Sequence, residues 1–194
     1  MADAPFITIV SGLPRSGTSM MMQVIKAGGI QVLTDHIRPW DEDNPRGYYE
    51  FEPVKHTKKD ASWIPGARGK VVKVIYRLLY DLPSDFTYRV VFMQRDLGEV
   101  LASQKKMLER SGRKGTDVGD ARLKELFQNE LDRFDKWIAK QTHFSRLDVF
   151  YEKMITRPAE EIERINGFLE NTLDPVAAVS AVDPSLYHNR VSKG

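Results

Sequence analysis

The stretch Phe6-Ile7-Thr8-Ile9-Val10-Ser11-Gly12-Leu13-Pro14-Arg15-Ser16-Gly17-Thr18-Ser19 decides how this chain folds. Phe6 to Val10 is a short apolar, β-branched run, the signature of a buried strand. It leads straight into a loop bounded by Gly12 and Gly17. A helix is expected next, from about Gly17 to Ala27, with Gly28-Gly29 as its stop. Glycines at both ends let the backbone turn tightly and approach an anion closely. A helix starting near Gly17 aims its free N–H groups and positive dipole end at that anion. Ser16, Thr18 and Ser19 add hydroxyl donors, and Arg15 adds a permanent positive charge. The spacing fits the Gly-x-x-x-x-Gly frame of a nucleotide-triphosphate loop, but Thr18 stands where that motif requires Lys. A Mg-dependent ATPase or kinase would thereby lack its main contact to the terminal phosphates. A ligand-free glycine turn explains the glycines, but it needs neither the strand before, the helix after, nor the Arg within.

Working outward, Ile30 to Leu33 reads as a second strand, and Asp35 to Tyr49 as an irregular polar loop with two prolines. Glu52 to Asp60 is expected to be a short helix. Lys70 to Ile75 and Tyr88 to Met93 are further strands, apolar on both faces as in a parallel sheet covered by helices. Asp96 can N-cap a helix reaching about Arg110. Ala121 to Lys140 is a long amphipathic helix, with Leu123, Leu126, Phe127, Leu131, Phe134 and Ile138 on one face. Arg146 to Tyr151 is the last clear strand, and Ala159 to Leu169, after Pro158, the last clear helix. Strand and helix alternate, which predicts an α/β fold: a three-layer α/β/α sandwich with a mainly parallel, P-loop-like sheet in a single domain over 1–194.

Composition narrows the classes. The balance of 29 basic and 27 acidic residues, net +2, does not announce nucleic-acid binding, so a basic site must come from local placement. The chain has no cysteine, which excludes disulfides and thiolate chemistry and suits a reducing, cytoplasmic setting. The apolar runs are strand-length, so no membrane span is expected. The four histidines, at 36, 56, 143 and 188, form no ligand spacing, and no metal is expected.

Pro14-Arg15-Ser16-Gly17-Thr18-Ser19 resembles the 5′-phosphosulfate loop of sulfotransferases that use 3′-phosphoadenosine 5′-phosphosulfate (PAPS). The Arg form is typical of tyrosylprotein and many bacterial members. Arg95-Asp96-Leu97-Gly98-Glu99-Val100-Leu101-Ala102-Ser103 is similar to the family's 3′-phosphate motif, a strand-end Arg followed eight residues later by Ser. A guanidinium and a hydroxyl so placed can converge on one phosphate. Lys70-Val71-Val72-Lys73-Val74-Ile75, with Leu82-Pro83, resembles the cytosolic members' segment whose lysine approaches the sulfuryl group. That family's catalytic histidine has no counterpart, since Val74 and Ile75 stand in its place. Lys73 can equally be a strand-end lysine reaching water. Val149-Phe150-Tyr151-Glu152 is like the family's Tyr-Glu-Asp strand end, which makes Tyr151 a candidate for adenine contact or for simple core packing.

The resemblance, discontinuous from about Phe6 to Leu169, implies PAPS as the cofactor, held by Pro14, Arg15, Ser16, Gly17, Thr18, Ser19, Arg95, Ser103 and Tyr151. It implies a sulfuryl transfer to a hydroxyl or amine in which Arg15 and Lys73 offset developing charge. An acceptor hydroxyl usually needs a general base. Asp35 and His36, just past the second strand, lie near where tyrosylprotein-type members place a glutamate. Glu50, in Asn44-Pro45-Arg46-Gly47-Tyr48-Tyr49-Glu50, is the competing candidate. Arg38, Trp40, Arg46 and Tyr48 are candidates for an acceptor pocket. The chain is short for this family, which implies an open site for a large acceptor or completion by a second copy of the chain. Two other classes stay open: a small nucleotide kinase, and a non-catalytic module that binds an adenosine phosphate.

Overall fold

The computed structural model describes residues 6–35, 37, 47–110, 112 and 118–184. The elements are β1 (Phe6–Gly12), α1 (Thr18–Ala27), β2 (Val32–Leu33), β3 (Val71–Lys73), β4 (Thr87–Gln94), α2 (Leu97–Arg110), α3 (Asp120–Ile138), β5 (Phe144–Phe150), α4 (Tyr151–Thr156), α5 (Pro158–Phe168) and α6 (Pro175–Ser180). Short 3-10 turns occupy Glu52–His56, Pro65–Ala67 and Tyr76–Asp81. The five strands form one parallel sheet in the order β2-β3-β1-β4-β5. The central strand β1 lies between β3 and β4, which arrive from later in the chain. Such a reversal of strand order opens a crevice at the carboxyl edge, where ligands of open α/β sheets bind.

Alternation along the strands explains the layers. Phe6 and Val10 of β1, Val71 of β3, and Val91 and Met93 of β4 face one core with α1, α5 and α6. Ile7, Ile9, Val72, Val90 and Phe92 face a second core, with Phe134 and Ile138 of α3. Phe92 and Phe134 stack at 5.4 Å between ring centroids. Side chains such as Ile9, Val90 and Phe134 are fully buried, each contributing about 1.5–3 kcal/mol of burial free energy. Both faces are therefore anchored, and the carboxyl edge is held on a rigid frame.

Several boundaries differ from the sequence expectation. The helix expected at Glu52 to Asp60 is a 3-10 turn ending at His56. The last ladder pair, Gln94 with Phe150, ends the sheet, and Tyr151 opens α4 rather than closing the strand. A further helix, α6, follows α5; Asp174 caps it by accepting from the N–H groups of Val176 and Ala177 at 2.9 and 3.1 Å. The apolar face of α3 is buried only from Leu131 onward, where it meets the sheet, while Leu126 is exposed. No described helix is long and apolar enough to cross a membrane.

Candidate anion-binding site at the carboxyl edge

Register brings the candidates together. Lys73 pairs with Val10, two residues before Gly12, and Gly12 pairs with Met93. Gln94 pairs with Phe150, so Arg95 and Tyr151 leave the sheet side by side. The loop bounded by Gly12 and Gly17 thus has Lys73 on one flank and Arg95 on the other.

The loop needs its two glycines. A Cβ on Gly12 (φ +147°) would lie 2.6 Å from Ser16 Oγ and 2.8 Å from the Met93 carbonyl oxygen. A Cβ on Gly17 (φ +100°) would lie 2.4 Å from Cδ2 of the Tyr151 ring. Arg15 between them also takes a left-handed conformation, φ +70°, uncommon for a residue with a side chain. Ser16 fastens the turn: its N–H and its hydroxyl both donate to the Leu13 carbonyl, at 3.2 and 2.7 Å. Its hydroxyl points inward in this structure, unlike the outward donor that composition suggests. Pro14 is exposed at the tip and Thr18, in the place of a loop lysine, is buried. No side chain caps α1, and its first backbone bond runs from Met21 N–H to the Gly17 carbonyl. The N-terminal N–H groups of α1 therefore face the mouth of the loop.

Three cations border this loop. The Lys73 ammonium donates to Ser19 Oγ at 3.2 Å and to the Tyr48 carbonyl at 2.8 Å, so it is not a strand-end lysine in water. The loop lacks its own lysine, yet β3 delivers one to its helix end. Arg15 Nε donates to Ser103 Oγ at 2.9 Å, reaching across to α2. Arg95 donates from Nη1 to the Arg15 carbonyl at 3.2 Å, and its guanidinium lies 4.4 Å from the Tyr151 ring centroid. Arg15, Arg95 and Ser103 thus meet, although 88 residues separate Arg15 from Ser103. Tyr151 is 5% exposed and lies under Gly17 and Arg95; burial pushes its hydroxyl above the ordinary value. Its aromatic body supports the loop and the cation from within the core. Glu99, not singled out from the sequence, is also here: its Oε2 accepts from Arg95 Nε at 2.9 Å.

The candidate bases lie toward β2. Asp35 accepts from the N–H groups of Ile37 at 3.0 Å and Glu52 at 2.5 Å. Burial pushes its carboxyl up, but those backbone N–H groups and Lys55 outweigh burial and hold it below the ordinary value. Asp35 is therefore a loop fastener and a weaker base than an ordinary aspartate. The Glu50 carbonyl accepts from Thr34 Oγ1 at 2.9 Å, and its carboxylate stands 3.9 Å from the Lys55 ammonium. A depression of about 450 Å³ opens beside these residues, lined by Asp35, Ile37, Phe51, Glu52, Pro53 and His56. No residue of the loop bounded by Gly12 and Gly17 lines it. His36, Arg38, Trp40 and Arg46 lie outside the described residues. Tyr48 is buried, with its ring 5.9 Å from the Lys73 ammonium, rather than presented to an open pocket.

No family model matches the sequence, and no curated protein is significantly similar to it. Among solved structures, the chain is similar to the sulfotransferase domain from the curacin biosynthetic pathway. The TM-score is 0.50 at 14% identity, over 100% of this chain and 94% of that one. A second likeness is to an unliganded sugar kinase from Janibacter sp. HTCC2649, with TM-score 0.42 and 14% identity over 88% and 96% of the two chains. What the first likeness establishes is the fold: this chain shares the parallel α/β architecture of that domain.

Proposed function

We propose that this chain is a sulfotransferase that takes a sulfuryl group from PAPS and gives it to a hydroxyl or amine acceptor. One observation carries the reading: two anion-receptive places lie side by side, the glycine cradle with Lys73 and the Arg15–Ser103–Arg95 group, joined by the 2.9 Å contact of Arg15 with Ser103. A donor with a 5′-phosphosulfate and a 3′-phosphate presents two anions that such a pair would take. The loop also tolerates no side chain at its two ends, since a Cβ at Gly12 would collide with Ser16 and Met93 and one at Gly17 with the Tyr151 ring.

In this reading PAPS supplies the sulfuryl group and a stable bisphosphate leaving group. Backbone N–H groups at the start of α1 hold the 5′-phosphate, and Ser19 and Thr18 line that subsite. Lys73 and Arg15 offset the negative charge that grows on the leaving oxygen. Arg95 and Ser103 take the 3′-phosphate, and Tyr151 supports them from below without an assigned adenine contact. The acceptor oxygen loses its proton to a base, forms the new bond to sulfur, and the sulfur–oxygen bond to phosphate breaks. Among the candidate bases, the committed carboxylate of Asp35 fits least; His36 and Glu50 are the assignments to test.

The test is transfer of 35S from labelled PAPS to a panel of phenol, sugar, amine and peptide acceptors. Labelled product with wild-type protein, lost in Arg15→Ala, is the expected result. Tight bisphosphate binding without transfer to any acceptor would favour a non-catalytic adenosine-phosphate module. Transfer of phosphate from ATP instead would make the chain a kinase.

A further inference from the structure

The first turn of α2 contains a buried carboxylate to which the reading above gives no role. Asp96 caps this helix, accepting from the N–H groups of Gly98 and Glu99 at 2.8 and 3.1 Å. Glu99 occupies the third helical position, where a capping-box acid ordinarily bends back to the N-cap N–H on the protein surface. Here it points inward. Glu99 Oε2 accepts from Arg95 Nε at 2.9 Å, and the two side chains are only 7% and 8% exposed.

A buried ion pair is a weak source of stability, because desolvation of both charges offsets most of their attraction. Its use here lies in geometry. The Glu99 carboxylate holds Nε, the Tyr151 ring lies against the guanidinium, and the Arg15 carbonyl accepts from Nη1. A long, flexible cation is thereby fixed before any ligand arrives, and fixing a group in its binding pose raises affinity by removing an ordering cost. We propose that Glu99 is a positioning residue: it touches no ligand, but by orienting Arg95 it sets the preference for an adenosine nucleotide carrying a 3′-phosphate over one without. The proposal rests on the functional reading above, which makes the 3′-phosphate the anion at Arg95 and Ser103.

The experiment is calorimetric titration of the full chain with adenosine 3′,5′-bisphosphate and, separately, adenosine 5′-monophosphate. Wild type is compared with Glu99→Gln, Glu99→Leu, Arg95→Met and the Arg95→Met/Glu99→Leu double variant. Glu99→Leu is expected to weaken bisphosphate binding about tenfold or more, the loss of a charge-assisted contact, while monophosphate binding moves less than about threefold. Glu99→Gln, which keeps an oxygen acceptor for Nε, is expected to retain bisphosphate affinity within about threefold of wild type. In the Arg95→Met background, Glu99→Leu is expected to add nothing. A purely structural role would weaken both nucleotides alike. The proposal is overturned if Glu99→Leu leaves the bisphosphate-to-monophosphate ratio unchanged, or if its loss persists on top of Arg95→Met. Should Glu99→Leu fail to fold, Glu99→Asp, one methylene too short, is read by the same ratio. Wild-type protein that binds neither nucleotide overturns the functional reading and the proposal together; wild-type binding with an unchanged ratio overturns only the proposal.

Discussion

The loop side of the sheet's carboxyl edge and its β2 side handle charge in opposite ways. On the loop side, Arg15, Lys73 and Arg95 come from three separate strand ends and each bonds a residue of the loop or its neighbouring helices: Lys73 to Ser19, Arg15 to Ser103, and Arg95 to the Arg15 carbonyl. On the β2 side, the carboxylates hold the loops to themselves: Asp35 fastens the N–H groups of Ile37 and Glu52, and Glu52 pairs with Lys55 at 2.7 Å. The cations ride on strands buried on both faces, whereas the carboxylates ride on a two-residue strand and its loops. In the proposed function, donor recognition is therefore built into the frame and acceptor chemistry into the connections, where such folds vary their functions.

The sharpest way to break this contrast is at Gly17. Gly17→Ala places a Cβ into the Tyr151 ring at a left-handed φ, and is expected to cost about 2–5 kcal/mol in denaturant unfolding and to abolish nucleotide binding. Gly66→Ala, where nothing lies within 4 Å of the new Cβ, is the matched control and should change little. Next come the cations: Lys73→Met and Arg95→Met are each expected to weaken adenosine 3′,5′-bisphosphate binding about 10- to 100-fold by calorimetry, while Asp35→Asn stays within about threefold. Equal losses at Asp35 would erase the distinction between the two sides.

Asp35 should instead show itself in acid. Its carboxyl is held below the ordinary value in the folded protein, so its stabilisation is present above the unfolded value, about 3.9, and lost as pH falls through the lower folded one. Wild type should therefore lose stability more steeply below about pH 4 than Asp35→Asn does, as read by unfolding midpoints across pH. The smallest effect is expected at Ser11, whose fully buried hydroxyl has no hydrogen-bond partner among the described residues. Ser11→Ala should be neutral or stabilising by up to about 1 kcal/mol, with unchanged nucleotide affinity.

The same contrast marks what was legible in the sequence. Phe6 to Val10, the two later apolar strands and the glycine loop declare themselves through local pattern, and the parallel sheet follows from their alternation with helices. Asp174-Pro175 carried a helix start for α6, but six residues are too few for periodicity to register. That Lys73 reaches Ser19, and Arg15 reaches Ser103, depends on strand order, which no local window contains. Glu99 is not legible as a site residue because a helix-start glutamate after Asp96 reads as an exposed capping residue; only its pairing with the buried Arg95 shows it turned inward. Asp35 shows the converse. Its type and position suit a base, and only its partners in the fold reveal that the carboxylate is committed to the backbone.

In the proposed function, the cations at the loop side form a receptor for a nucleotide with two separated anionic groups. Thermal unfolding with adenosine 3′,5′-bisphosphate, and separately with ATP and Mg2+, tests it most directly. The account predicts a rise in the unfolding midpoint that grows with bisphosphate concentration, needs no metal, and is reduced in Arg95→Met. Stabilisation by ATP with Mg2+ and none by the bisphosphate would contradict it.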